Sequence, residues 1–418
     1  MRVLFVHQNF PGQYKHIAAT LARDPTHEVV ALAVNKHPVP PRLRVVYYGF
    51  KRPPPQAHPL AVEFENRMMW GEAAALAAEN LKKEGFFPDI IIGHPGWGEM
   101  LFLPDVWPQA RVLSYMEYYY RKETDLLFDR ASPVIDSAEY RKLRARNAPL
   151  LMAIEASDWS VSPTRWQWQQ LPDFARARTS IIHEGIDTQV VRPAANASVS
   201  LGRASSPCRP GDEVITFVNR NLEPYRGFHM FIRALPEILR QRPRARAVIV
   251  GASGVSYGKR APNGQSWRET LVRKVADQLD FSRVHFVGAI SYQVYLQLLQ
   301  VSAAHVYLSY PFVLSWSMLE AMACECLVIG SRTEPVMEVM EHERNGLLVD
   351  FFSPDEIAAT VIRALEAPEK YRELRHAARE TIIQRYDLRQ CLPRHLALIS
   401  TVAAGGTPIP DQSVKEYA

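Results

Sequence analysis

Short apolar runs alternate along the chain with longer stretches whose apolar residues recur every three or four positions, the rhythm of a parallel sheet covered by helices. Residues 2–6, 29–34, 44–48, 89–92, 111–114, 159–162 and 180–183 read as strands, and 16–23 and about 61–84 as helices. From 192 to 211 the period is lost, and Pro, Ala, Ser and Gly dominate, which is linker chemistry. The alternation then restarts. Strands are predicted at 214–218, 247–251, 284–287 and 306–308, and helices at 227–241, 267–278 and 292–300. Closing helices follow at about 354–366, 368–385 and 388–402. The pattern predicts an α/β protein of two Rossmann-like halves, 1–192 and 212–386, joined by a linker at 193–211.

Length agrees with that division, since 418 residues of which 47% are hydrophobic exceed what one core usually supports. The formal charge of +5, from 49 basic and 44 acidic residues, is mild. It makes no case for nucleic acid as a partner, although a basic surface suits an anionic ligand or an anionic membrane face. Cys208, Cys324, Cys326 and Cys391 are too unevenly spaced for a disulfide framework and read as reduced, buried thiols. The first residues, MRVLFVHQNF, lack a signal-peptide pattern, and no run of about 18 apolar residues appears. The expectation is a cytoplasmic protein, soluble or peripheral at the membrane.

The richest stretch for chemistry runs from His305 to Val349. A strand ending near Leu308 breaks at Ser309, Tyr310 and Pro311, and a helix that carries Glu320 is predicted to begin near Ser315. Its first N–H groups can hold phosphate oxygens, and Glu320, a turn and a half in, can hold ribose hydroxyls. The ligand so inferred is a nucleotide. In the same half, Arg220 ends a strand and Arg226 precedes Gly227, so two guanidinium groups could converge on one diphosphate.

In the first half, the loop His7-Gln8-Asn9-Phe10-Pro11-Gly12-Gln13 joins the first strand to the first helix, and Gly12 would permit close backbone approach. His94 follows an apolar strand, where a neutral imidazole could bind a ligand or a reaction-centre group; Gly96, Gly98 and Glu99 share its loop. Aromatic and charged residues at 114–122, including Glu117 and Tyr118, and a basic helical face at 140–146 are candidates to meet a carbohydrate, a lipid-linked glycan or an anionic bilayer surface. No D-x-D, H-E-x-x-H, P-loop or G-x-G-x-x-G pattern occurs, so neither a metal site, ATP hydrolysis nor a dinucleotide is indicated.

Glu320-Ala321-Met322-Ala323, Glu338 and Asn345-Gly346-Leu347-Leu348-Val349 resemble the C-terminal signature of the family-four retaining glycosyltransferases of the GT-B type. Arg220 and Arg226 resemble that family's Arg and Lys six residues apart, and the resemblance runs in order from Gly12 through His94 to the closing helices. It implies the GT-B fold, with two Rossmann-like domains facing across a deep cleft and a crossover helix, about 387–418, returning to the first domain. It further implies metal-independent, retaining transfer of a sugar from a nucleotide diphosphate-sugar, UDP- or GDP-linked, in polysaccharide biosynthesis or a related pathway. The nucleotide-sugar is then a co-substrate and no cofactor is required. A carbohydrate, lipid-linked glycan or small-molecule hydroxyl would be the acceptor. His94, Arg220, Arg226 and Glu320 are the catalytic candidates; Gly12, Val287, Gly288, Phe312, Leu314, Ser315 and Trp316 the further donor contacts; Gln13, Glu117 and Tyr118 the acceptor contacts. Phe312 stands where the family has its first signature Glu, which leaves open a changed sugar specificity, a shifted alignment or an inactive nucleotide-sugar binding module, while a nucleotide-sugar 2-epimerase built on the same two-domain architecture is the other alternative.

Overall fold

The computed structural model describes residues 1–51, 58–129, 136–201 and 206–409. It divides into two compact units, one of Met1–Gly185 with Arg389–Ala418, the other of Ile186–Leu388.

The first unit is built on a seven-stranded sheet of β1 (Arg2–Val6), β2 (Glu28–Ala33), β3 (Arg44–Tyr47), β4 (Ile90–Gly93), β5 (Arg111–Tyr115), β6 (Trp159–Ser162) and β7 (Thr179–Ile181). Their order is β3-β2-β1-β4-β5-β6-β7, and the pairs are parallel. Parallel strands are covered on both faces, which is why their sequences are continuously apolar. Val3, Phe5, Ile90 and Ile92 enter one core cluster, while Leu4, Val6 and Ile91 enter the other. Successive residues on a strand point to opposite faces, so this split follows directly from the sequence. Helix Lys15–Arg23 supplies Ile17, Ala18, Leu21 and Ala22 to the first cluster, and helix Leu388–Ala403 supplies Leu398, Ile399 and Val402. Helix Val62–Lys83 adds Ala78 and Leu81 to the second. The basic stretch at 140–146 proves to be part of a 19-residue helix, Ser137–Glu155, capped by Asp136.

The second unit has six strands, β8 (Val214–Asn221), β9 (Arg246–Ala252), β10 (Val284–Gly288), β11 (Ala304–Tyr307), β12 (Val328–Ser331) and β13 (Leu347–Val349). They are parallel and ordered β10-β9-β8-β11-β12-β13. Helix Phe228–Gln241 buries Phe228, Phe231, Leu235 and Ile238, matching the expected 227–241. The expected helix 267–278 is interrupted: Ser266 and Glu269 form a reciprocal cap, the helix ends at Val272, and a 3-10 turn follows at Ala276–Gln278.

The unit boundary at 185/186 lies ahead of the expected linker at 193–211. The described part of that stretch packs on the second unit. Val199 and Cys208 exchange backbone hydrogen bonds of 3.0 and 2.8 Å. With Ala197 they join Val214, Val248, Leu298 and Val301 in one buried cluster. Three small apolar residues so far apart carry no helical or strand period, so composition alone read as a tether. At the unit's other end, Ile186 and Asp387 form a parallel bridge, with Ile186 N–H donating to Tyr386 at 2.7 Å and Leu388 N–H to Ile186 at 2.9 Å. Among the described residues no helix is long and apolar enough to cross a membrane.

Candidate functional site

Polar side chains gather at the carboxyl ends of the strands in each unit, where ligands sit in sheets of this kind. In the first unit His7 follows β1 and is 3% exposed. Its Nδ1 accepts the Asn9 N–H at 3.0 Å. Burial, then the neighbouring His94, lowers its pKa to about 3, so the ring is neutral and carries its proton on Nε2. Gly12 closes over this ring at φ +46°, and a Cβ there would lie 2.6 Å from the imidazole Cε1, so only glycine fits.

His94 begins the loop after β4. Its Nδ1 accepts the Gly96 N–H at 3.1 Å, which leaves Nε2 to donate to Glu117, 3.2 Å away. Gln13 Nε2 donates to the other Glu117 oxygen at 2.8 Å. Three residues singled out in separate parts of the sequence therefore meet in one network. Burial raises the Glu117 pKa, but the hydrogen bonds and charge from His94 and the hydrogen bond from Gln13 outweigh it, and the net shift is downward. Tyr118 is not part of this group; its hydroxyl donates to Asp125 at 3.1 Å.

Glu99 ends the same loop and is 1% exposed. It accepts a hydrogen bond from Gln8, and burial raises its pKa to about 7. Tyr48, at the end of β3, is pushed upward by burial and by the Glu99 charge.

In the second unit, Arg226 closes a 3-10 turn, Pro224–Arg226, and Gly227 follows at φ +73°. A Cβ on Gly227 would stand 2.2 Å from Leu308 Cβ, so the turn can press against the end of β11 only without a side chain. That brings the Arg226 guanidinium, 5% exposed, to Ser309 Oγ at 2.8 Å and Tyr307 Oη at 3.4 Å. The rings of Tyr257 and Phe312 lie over it, each centroid 5.1 Å away. No carboxylate among the described residues forms an ion pair with it. Arg220, near the end of β8, is exposed, and its side chain makes no hydrogen bond or ion pair to a described residue.

Glu223, which is fully buried, was not singled out from sequence. It accepts N–H groups from Ser256 at 3.0 Å, Tyr257 at 3.3 Å and Gly258 at 2.8 Å, and so fastens the loop that carries Tyr257 over Arg226. Tyr307 Oη also accepts the Ser315 N–H at 2.8 Å, which ties the arginine site to the start of helix Trp316–Ala323. Ser315 caps that helix through Ser317 N–H at 3.4 Å. Phe312 and Leu314 are buried beside it, whereas Trp316 is 40% exposed. Glu320 is 7% exposed and accepts hydrogen bonds from the Tyr292 and Tyr295 hydroxyls, both 2.7 Å. At the end of β10, Val287 is half-buried and Gly288, at φ +65°, faces open space.

The four cysteines are free and buried, and burial pushes Cys324 up to about 12, which makes it unreactive. Among the described residues no three His, Cys, Asp or Glu side chains form a metal-binding group.

Two helix-flanked parallel sheets, each with polar groups at its strand ends, define a two-domain α/β protein, and solved structures give that class its name. Sucrose-phosphate synthase from Thermosynechococcus elongatus matches with a TM-score of 0.72 at 19% identity, over 97% of this chain and 100% of that one. Anabaena HepE, solved with UDP-glucose, matches with a TM-score of 0.66 at 16% identity, over 96% and 100%. The fold is GT-B. Residues 25–191 match the glycosyl transferase family 4 group and residues 202–381 the glycosyl transferases group 1. The chain belongs to the family-four glycosyltransferases of the GT-B type. It is 26% identical over 229 residues to a D-inositol 3-phosphate glycosyltransferase of Segniliparus rotundus, 54% of this chain and 48% of that one. It is 26% identical over 205 residues to spore coat protein SA of Bacillus subtilis, 48% and 52% of the two chains. The chain spans about half the length of the curated relatives it matches.

Proposed function

We propose that this protein transfers a sugar, with retention and without a metal ion, from a UDP- or GDP-sugar to a hydroxyl of a glycan, lipid-linked or small-molecule acceptor. The observation that carries the reading is Arg226, a buried guanidinium whose polar partners are the neutral hydroxyls of Ser309 and Tyr307. A buried cation is costly unless an anion joins it, so the site is built for one that arrives from outside. A leaving diphosphate fits in charge and geometry, and guanidinium plus helix N–H groups do the electrostatic work elsewhere given to a cation. Glu320, on the adjoining helix, is then the group for the ribose. The Anabaena neighbour, solved with UDP-glucose, supports a nucleotide-sugar as donor.

In the first unit, Glu117 is the acceptor contact. It is anionic, 28% of its side chain is accessible, and His94 and Gln13 orient it, so it can accept the proton of an incoming hydroxyl's hydrogen bond. A cytoplasmic setting, with peripheral contact at an anionic membrane face, is the context we assign to this chemistry.

The test is a thermal-shift screen of nucleoside diphosphates and nucleotide-sugars with the wild type and Arg226→Met, followed by incubation of the best donor with glycan and lipid-linked acceptors. A donor-dependent rise in melting temperature that Arg226→Met removes, with a glycosylated product in the second stage, is the expected result. Donor binding that persists in the variant refutes the role of Arg226. Donor converted to a new nucleotide-sugar without any acceptor refutes transfer in favour of epimerisation.

A further inference from the structure

The connection that follows β9 forms no helix or strand from 253 to 261, so the N–H groups of Ser256, Tyr257 and Gly258 take their partner from elsewhere. Glu223 supplies it. Its Oε1 accepts from Ser256 at 3.0 Å and Tyr257 at 3.3 Å, and its Oε2 from Gly258 at 2.8 Å. Consecutive N–H groups converging on one carboxylate make a nest that holds an anion. Asn221 Nδ2 also donates to Ser256 Oγ, and the Leu222 N–H donates to Ala252 at 2.9 Å. Residues 221–223 therefore clasp the loop at 252 and again at 256–258.

Glu223 stands three residues before Arg226 and both are buried, yet no ion pair joins them. The carboxylate is committed to the loop, while Arg226 Nη1 meets the neutral hydroxyls of Ser309 and Tyr307. What the clasp fixes in space is Tyr257. Its ring centroid lies 5.1 Å from the guanidinium and 4.7 Å from that of Phe312. Tyr257 is itself 41% exposed, so a single ring on an irregular loop stands between this cation and solvent on that side. A charge pair formed under such cover is weakened little by water or salt, whereas the same pair on an open surface contributes almost nothing.

We infer that Glu223 is a positioning residue for the anion site: its carboxylate pins the 256–258 backbone so that the Tyr257 ring stays over the Arg226 guanidinium and keeps water from the charge that a diphosphate meets. The inference rests on the reading of Arg226 given above and adds two residues, Glu223 and Tyr257, to which that reading assigns no part.

Calorimetric titrations with inorganic pyrophosphate, UDP and GDP would compare the wild type with Tyr257→Ala, Glu223→Gln, the double variant and Arg226→Met. Glutamine keeps the shape of Glu223 but sets an amide N–H among the backbone N–H groups. Glu223→Asp, which keeps the charge and draws it back by one methylene, serves the same comparison if Glu223→Gln does not fold. Tyr257→Ala and the Glu223 variant should each bind pyrophosphate about tenfold more weakly than the wild type. Their affinity should also fall more steeply than the wild type's between about 50 and about 500 mM NaCl. Because Glu223 acts through Tyr257, the double variant should bind no more weakly than Tyr257→Ala alone. Tyr257→Phe, which restores the ring, should recover most of the loss.

Wild-type affinity and salt dependence in Tyr257→Ala, with binding abolished by Arg226→Met, overturn the inference and spare the reading of Arg226. Losses that add in the double variant overturn it as well, because Glu223 then acts by another route. A Glu223 variant that melts earlier but binds like the wild type shows a merely structural role and has the same consequence. Failure of the wild type to bind any of the three ligands, or binding by Arg226→Met equal to the wild type, removes the diphosphate reading from this site and the inference with it.

Discussion

Replacing Glu99 with glutamine tests the electrostatics of the first unit. The carboxyl is 1% exposed, and burial lifts its pKa from 4.5 to about 7. Because the folded-state value lies above the unfolded one, the stability associated with the protonated acid is fully present below pH 4.5 and is lost as pH rises past about 7. By linkage, ionising Glu99 in the fold costs about 3 kcal/mol at pH 8 and roughly 1 kcal/mol at pH 5. Glutamine keeps the shape, keeps an oxygen for Gln8, and turns its amide toward Tyr48 without ever carrying charge. Glu99→Gln should therefore be more stable than the wild type by about 3 kcal/mol at pH 8, and by much less at pH 5. Urea unfolding followed by tryptophan fluorescence is a suitable assay, because Trp70, Trp97, Trp107, Trp159, Trp166 and Trp168 lie in the first unit and only Trp267 and Trp316 in the second. A stability difference of the same size at both pH values would mean that Glu99 does not titrate in the buried environment described, and would refute the reasoning.

Two further substitutions probe the elements that shape the sites. Gly227→Ala places a methyl 2.2 Å from Leu308 Cβ in a left-handed conformation, and should cost about 2–4 kcal/mol; an unfolding midpoint like the wild type's would show that the turn can relax without cost. Glu117→Gln removes the carboxylate charge that His94 and Gln13 hydrogen-bond, so it should destabilise the first unit by about 1–2 kcal/mol at neutral pH. Since the Glu117 pKa is lowered in the fold, its stabilisation is present above the unfolded carboxylate value and is lost as the pH falls through the folded one. The gap between variant and wild type in a pH series of urea titrations should therefore close toward acid, and a gap that stays constant down to about pH 3 counts against the pairing.

The sheets were legible because Val3 to Val6, Ile90 to Ile92 and Val214 to Phe217 are apolar without interruption, as strands buried on both faces must be. Arg226, Phe312, Ser315, His94, Gln13 and Glu117 could be proposed from sequence because each falls near a strand end or a helix start, and Glu320 because it rides on the helix that Ser315 caps. What the sequence did not disclose is how they pair. Glu99 and Glu223 are charged residues in loops, and nothing local distinguishes a carboxylate buried among backbone N–H groups from one in water. Tyr292 and Tyr295 precede Glu320 by 28 and 25 positions, and their spacing alone reads as an ordinary helical face. Arg220 and Arg226 share a strand-turn-helix spacing that suggested convergence, and spacing alone did not disclose that the turn at Pro224 buries the second while the first stays exposed. The stretch at 193–211 has the composition of a tether, yet Ala197, Val199 and Cys208, with Ala194 and Leu201 beside them, pack into an apolar cluster of the second unit that composition did not disclose.

The bridge between Ile186 and Asp387 makes the second unit a closed excursion of the polypeptide. Its entry and exit strands are neighbours, so the 186–388 segment is topologically an insert in the first unit, like a knot of string drawn out through one buttonhole. Chain ends already side by side are the condition under which an inserted segment can be excised, rejoined or given new termini without rethreading the host. The outer sequence, 1–185 and 389 onward, would in turn need no more than a short splice to become continuous.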